Sequence, residues 1–115
     1  MKKTFDVDVW DCKVNLITTK ESYVKFAKED PVADCLCAFD GRDALIFINL
    51  SEFESLKSSS LWRSVSHESN HAAMSILDNL GVSMDGDNQE ALCYTQDYIF
   101  ACCYEIISKE LDKAK

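Results

Sequence analysis

The stretch that decides the fold runs from Leu61 to Gly81 and reads LWRSVSHESNHAAMSILDNLG. Its apolar residues recur at helical spacing, serines that can cap a helix precede it, and its final glycine can supply a C′ stop. The sequence therefore predicts a long amphipathic helix. Its apolar stripe consists of Trp62, Val65, Ala72, Ala73, Ile76, Leu77 and Leu80.

The only two histidines of the chain, His67 and His71, lie in this helix, and Glu68 directly follows the first. Side chains at i and i+4 share a helical face, so an HExxH pair can bind one metal ion with the glutamate beside it. A chance HExxH that binds no metal is the alternative. On a helical wheel the histidines centre opposite the apolar stripe, and we expect them to face solvent or a cleft.

A second amphipathic helix is predicted from Asn88 to about Leu111, after Asp87. Its apolar face is expected to bury Leu92, Ile99, Phe100, Cys103, Ile106 and Ile107. Its opposite face carries Glu90, Tyr94, Asp97, Ala101 and Glu105. A polar face of this kind is usually only a solvated surface. Because an HExxH helix precedes it in the sequence, its acids and tyrosines are also candidates for a functional site.

A catalytic zinc ion takes three protein ligands and leaves one position for water, so HExxH needs a third ligand. The extension HExxHxxGxxH is absent, because Met74 and Leu77 occupy its last two defining positions. With no third histidine in the chain, the remaining ligand must be a carboxylate.

Glu90 is the best candidate, because it lies 19 residues after His71 and in the first turn of the next helix. The turn from Val82 to Asp87 is expected to fold it back against the histidines. The predicted ligand set is therefore His67, His71 and Glu90, a His₂Glu site. In the competing interpretation, Asp87 and Glu90 form a capping box and Glu90 binds a backbone N–H.

A family resemblance rests on four segments, which are HESNHA at 67–72, LD at 77–78, Gly81 and NQEALCY at 88–94. They resemble the small zincin-like metallopeptidases encoded by phages and prophages, over roughly Ala44 to Ile107. Such proteins are similar to a stripped-down gluzincin, in which a glutamate on the helix after HExxH is the third ligand. The resemblance implies a small mixed sheet on two long helices, with an edge strand beside the cleft.

Zinc chemistry would give the other residues their roles. Zinc lowers the pKa of bound water toward ~7 and polarises a carbonyl, so Glu68 is the expected general base. For the developing oxyanion, Tyr94 is the first candidate, with Tyr98 and Arg63 behind it, and simple packing is the alternative for each. The second N–H of a ligand histidine has Asp97 or Asp78 as candidate acceptor, unless these are ordinary surface acids.

The first half of the chain is predicted to be β-rich. Phe5, Val7 and Val9, then Val14 and Leu16, alternate with polar residues, in one strand or two. A short helix is expected from Lys20 to Lys28. The runs Cys35 to Phe39 and Ala44 to Leu50 flank Asp40-Gly41, a strong hairpin signal. If the Ala44 to Leu50 strand lies at an edge, an extended peptide can pair with it.

The fold class is thus α+β, with a small mixed or antiparallel sheet packed against the HExxH helix and a C-terminal helix that bears Glu90. The 115 residues fit a single zincin-like domain, 1–115. The net charge of −8 disfavours nucleic acid as a partner. The sequence shows no signal peptide and no membrane span, which predicts a cytoplasmic protein, in a bacterial host if phage-encoded.

The six cysteines are expected to be cytosolic thiols that serve mostly as small core hydrophobes. Cys35 and Cys37 alternate along a strand, while Cys93 and Cys103 fall on the apolar face of a helix. No CxxC pair occurs, so a cysteine-rich metal site is disfavoured.

Two functions follow from the sequence. The leading hypothesis is a zinc-dependent metallopeptidase, a hydrolase that acts on a peptide or protein through Glu68. The alternative is a zinc-stabilised phage or prophage interaction or assembly protein without significant turnover. The sequence names neither the substrate nor the oligomeric state, and it favours zinc only through the ligand types.

Overall fold

The computed structural model describes residues 1–53, 57–83 and 85–113. They contain four strands, β1 (Lys2–Val7), β2 (Cys12–Ile17), β3 (Cys35–Asp40) and β4 (Asp43–Ile48). The helices are α1 (Lys20–Ala27), α2 (Ser59–Asn79) and α3 (Gln89–Lys113). The predicted α+β class is confirmed.

The sheet is mixed, with strand order β1-β2-β4-β3. β1 pairs with β2 and β3 with β4 in antiparallel fashion, whereas β2 and β4 are parallel. The alternating N-terminal segment is therefore two strands, separated by a 3-10 turn at Asp8–Trp10 and by Asp11 in the left-handed region, with φ 50°. The predicted hairpin is confirmed, and Gly41 takes φ +64° in its turn.

The strand expected to receive a peptide is not at an edge. β4 lies between β2 and β3, and its residues from Ala44 to Ile48 are all buried. An unbroken apolar run is typical of a strand that is covered on both faces. β3 is the edge strand on this side of the sheet. The predicted pairing of a peptide with the strand at Ala44 to Leu50 required an edge position, which this strand does not have.

The sheet is covered on both faces. Successive side chains point to opposite faces of a strand, so β4 contributes to two clusters. Ala44, Ile46 and Ile48 join the main core with α2 and α3, while Leu45 and Phe47 pack with Tyr23 of α1. The two long helices therefore lie on the same side of the sheet.

Helix α2 has the predicted end signals. The Ser58 hydroxyl accepts a hydrogen bond from the Leu61 N–H at 3.3 Å. At the other end, Gly81 takes φ +78°, and the Val82 N–H donates to the Leu77 carbonyl at 2.9 Å, as in a Schellman motif.

The start of α3 differs from its prediction. The residues Gly86–Asn88 form a 3-10 turn, and the side chain of Asp85, rather than Asp87, accepts the capping hydrogen bond from the Asp87 N–H at 3.0 Å. Met84, within the predicted Val82–Asp87 turn, lies outside the described residues. Within the described ranges, no helix combines the length and apolar character needed to cross a bilayer.

Candidate metal centre

Helix α2 has one buried face and one exposed face, as predicted. Its buried residues include Val65, Ala72 and Ile76, each at most 1% exposed, whereas His67 and His71 are exposed. Since residues four apart lie one helical turn from each other, the two imidazoles stand side by side. The prediction that the histidines lie opposite the apolar stripe is confirmed.

The two imidazoles already have a spacing that suits one metal ion. Their Nε2 atoms are 3.2 Å apart. Two ligands that each lie ~2.05 Å from a tetrahedral zinc ion are about 3.3 Å apart. Together with Glu68, they form a group whose ligand atoms all lie within 4.8 Å of one another. The spacing of the two imidazole nitrogens therefore fits zinc, with the Glu68 carboxylate near them.

The same Nε2 distance also suits a hydrogen bond between two neutral imidazoles, in which one ring donates and the other accepts. Such a bond requires one nitrogen to carry a proton, and a metal ion would displace that proton. The observed distance is thus compatible with a metal-bound pair and with a metal-free, hydrogen-bonded pair. In both, the helix keeps the two rings close.

Glu68 lies on α2 beside the exposed histidines but is itself buried. It is only 6% exposed, and burial raises the pKa of its carboxyl group, while the neighbouring histidines lower it. Its charge also affects two thiols of β3. The pKa of Cys35 is raised mainly by burial, and that of Cys37 is raised to about 12 by burial and by Glu68. Helix α2 packs against β3, and the charge of Glu68 therefore acts on both thiols of this edge strand.

Two open clefts meet at His67 and Arg63. The first, which we call the Glu68 cleft, has a volume of about 420 Å³ and is also lined by Ser60, Ser64 and Glu68. The second, the Trp62 cleft, has a volume of about 690 Å³. Its other lining residues are Ser59, Trp62, Ser66, Gln96, Asp97 and Phe100. The exposed face of α2 thus borders space toward α3 as well as space around Glu68.

Glu90 lies in the first turn of α3, as predicted, and is exposed. It is not a member of the group formed by His67, Glu68 and His71. In the part of the chain that is described, its carboxylate makes no hydrogen bond or ion pair. Among the described residues, Asp87 and Glu90 therefore form no capping box, and Asp85 caps the 3-10 turn that precedes α3.

Asp97 is one of the two acids predicted to accept the second N–H of a histidine. It lines the Trp62 cleft together with His67. This position suits the predicted role of an acceptor for the second N–H of a histidine. Asp78 is exposed near the end of α2, and neither of the two clefts includes it.

Tyr94 and Tyr98 line another groove. This groove has a volume of about 620 Å³, and its other lining residues are Val7, Asp8, Val9, Trp10, Ala91 and Thr95. The Tyr98 hydroxyl donates to the Asp6 carbonyl at 2.7 Å. The groove includes neither histidine, so the structure does not bring Tyr94 together with His67. Of the three oxyanion candidates, only Arg63 lines the clefts at His67.

All six cysteines are free thiols. Cys12 and Cys103 are buried, Cys35, Cys37 and Cys102 are partly buried, and Cys93 is exposed. Burial raises the pKa of Cys103 to about 12. Because Cys93 is exposed, the prediction that it lies in the core is wrong. Sequence reasoning also missed the neighbourhood of Cys37 and Glu68, although the alternation of β3 was a signal for it.

No family model, no curated protein and no solved structure matches this chain. The support for a metal centre therefore comes from the geometry of His67, Glu68 and His71 and from the chemistry of their donor atoms.

Proposed function

We propose that this chain is a zinc-dependent metallopeptidase, of the zincin-like phage or prophage kind that its motifs resemble. His67, His71 and Glu90 hold the metal ion, and Glu68 is the general base. The observation that carries the proposal is the 3.2 Å separation of the two Nε2 atoms, with the Glu68 carboxylate in the same group. This spacing matches that of two ligands on a tetrahedral ion.

When bound, zinc supplies Lewis-acid activation of water and of the scissile carbonyl. Glu68 takes the proton of the attacking water on a carboxylate oxygen and passes it to the leaving amine. Burial raises the pKa of Glu68, which makes its carboxylate a stronger proton acceptor near neutral pH. Its opening into the Glu68 cleft gives a substrate access to it.

The third ligand is proposed to be Glu90. Two observations support it: the carboxylate is exposed, and within the described ranges it makes no hydrogen bond or ion pair, so that it forms no capping box with Asp87. Asp97, beside His67 in the Trp62 cleft, is proposed to accept the remaining N–H of that imidazole. An acceptor of this kind fixes the tautomer and the orientation of a metal-binding histidine.

The edge of β3 is the proposed docking strand for an extended peptide. β3 pairs only with β4 in the sheet, so its other edge is available for main-chain hydrogen bonds. The charge of Glu68 reaches Cys35 and Cys37 of this strand. A peptide added beside β3 would therefore pass close to the general base.

The second candidate function is a zinc-stabilised interaction or assembly protein without significant turnover. One observation favours it: among the described residues, no tyrosine lines either cleft at His67. Peptide hydrolysis needs a donor for the oxyanion. The first candidate, Tyr94, lines the groove with Trp10 instead, which leaves only Arg63 of the three predicted donors at these clefts.

The substitution Glu68→Gln separates the two functions. We expect the variant to keep its zinc, because both histidines remain, and to lose about 10²- to 10⁴-fold in cleavage of a peptide library. Glu105→Gln is the matched control, since Glu105 is exposed on α3 and lines neither cleft. Zinc content is measured by elemental analysis and cleavage by mass spectrometry. If wild type and Glu68→Gln cleave equally, or if neither cleaves, the peptidase proposal is wrong.

A further inference from the structure

Arg63 lies at the junction of the two clefts and, among the described residues, has no ion-pair partner. It lies on α2 one helical turn before His67 and lines both the Glu68 cleft and the Trp62 cleft. In the part of the chain that is described, it is the only lysine or arginine that lines either of them. Within the described ranges, its guanidinium makes no ion pair and no hydrogen bond. Five N–H donors are thus open to a ligand.

The surroundings of the Arg63 guanidinium are acidic. The chain has a net charge of −8, and Glu68 and Asp97 line the same clefts. In an acidic chain, a cation beside a candidate metal centre that has no acidic partner among the described residues is suited to bind an anion of a ligand.

We propose that Arg63 is a specificity-determining residue that binds a carboxylate of the substrate. The inference rests on the proposed peptidase function and adds a substrate class to it. The favoured peptides carry either an acidic side chain or a free C-terminal carboxylate near the scissile bond. A guanidinium matches this group, because it can donate two parallel hydrogen bonds to the two oxygens of a carboxylate.

The helix sets how far this carboxylate lies from the reacting bond. Four residues of α-helix span about 6 Å, which separates Arg63 from His67 along the axis. An extended peptide advances about 3.3 Å per residue. The carboxylate is therefore expected one or two residues from the scissile bond. Ser60, which lines the Glu68 cleft with Arg63, offers a further hydroxyl donor at that end.

Matched peptides test the proposal. One pair differs only by Glu against Gln beside the cleavage site, and a second pair differs only by a free acid against an amide at the C-terminus. Binding to the zinc-loaded Glu68→Gln protein is measured by fluorescence anisotropy, and kcat and KM are measured on wild type. We expect the acid form of one pair to bind about tenfold to a hundredfold more tightly than its neutral form. The pair that shows the preference identifies the source of the carboxylate.

The variant Arg63→Gln is then compared with Arg63→Lys. We expect Arg63→Gln to reduce the acid-to-neutral ratio to about one, mainly through KM, and Arg63→Lys to keep part of it as a point charge. Lys25→Gln is the control, because it removes one exposed positive charge on α1 and should leave the ratio as it is. Added salt should weaken the preference, because Arg63 is exposed.

Two results overturn the proposal. If wild type and Arg63→Gln show the same acid-to-neutral ratio in both pairs, Arg63 does not bind a substrate carboxylate. If Arg63→Gln lowers kcat equally for acid and neutral peptides, the guanidinium serves the oxyanion instead. Failure of the proposed function has a different signature, since no peptide would then be cleaved, while the binding measurement still reports on Arg63.

Discussion

The two faces of α2 differ in what they contribute. One face carries Val65, Ala72 and Ile76, each at most 1% exposed, and packs against the sheet and α3. The other face carries His67 and His71, which are exposed and contribute little buried apolar area. The buried face fixes where the helix lies, and the exposed face then presents two imidazoles 3.2 Å apart. Stability and chemistry are therefore separable on this helix.

The largest effect is expected from Ile76→Ala on the buried face. Removing this side chain leaves a cavity, and the free energy of unfolding should fall by about 2–5 kcal/mol in urea denaturation. Met74→Ala is the control, since Met74 is 39% exposed and should change stability by only about 0.5 kcal/mol. Zinc affinity of the folded Ile76→Ala protein should not change. A large loss of affinity would show that the two faces are coupled.

A smaller effect, on zinc affinity alone, is expected from the acids of α3. Glu90→Gln should weaken zinc binding by more than about 100-fold, and Asp97→Asn by about tenfold, as for a group that orients a ligand. Both are measured by competition with a chromogenic chelator, with Glu105→Gln as the control. Neither substitution should alter urea stability of the metal-free protein by more than about 0.5 kcal/mol. If Asp97→Asn has the larger effect, Asp97 is the third ligand and Glu90 is not.

The smallest effect is expected from Ser69→Ala, which removes a polar exception on the buried face. Ser69 is 0% exposed, and its hydroxyl has no oxygen or nitrogen partner among the described residues; the Cys103 thiol, a weak hydrogen-bonding group, lies near it and leaves it poorly satisfied. Alanine removes this unsatisfied group and has a higher helix propensity, so the free energy of unfolding should rise by about 1 kcal/mol. A decrease would instead indicate that the hydroxyl bonds to the nearby Cys103 thiol.

Local signals in the sequence predict the two faces of α2 and both of its ends. The spacing of Val65, Ala72 and Ile76 predicts a helix with one buried face, and the register of His67 and His71 places them on the other. Capping residues and Gly81 then predict its ends. These features depend on neighbours within a few residues, so periodicity and turn chemistry are sufficient to find them.

Features that depend on distant contacts were not predictable in the same way. The order of strands decides that β3, rather than β4, is at an edge, and a parallel pair of β2 and β4 has no local signature. A 3-10 turn at Gly86–Asn88, with Asp85 as its N-cap, precedes α3, whereas the sequence predicted Asp87 as the N-cap of the helix. Cys93 lies near the edge of the apolar stripe of α3, where a small rotation of the helix decides its exposure.

Zinc content of the purified protein tests the central claim most directly. Elemental analysis of wild type, His67→Ala and His71→Ala compares the exposed face of α2 with and without each imidazole. The account predicts about one zinc ion per chain in wild type, and the loss of a ligand from a three-ligand site should leave both variants largely without zinc. Wild-type protein that binds no stoichiometric zinc, or histidine variants that retain it, would contradict the account.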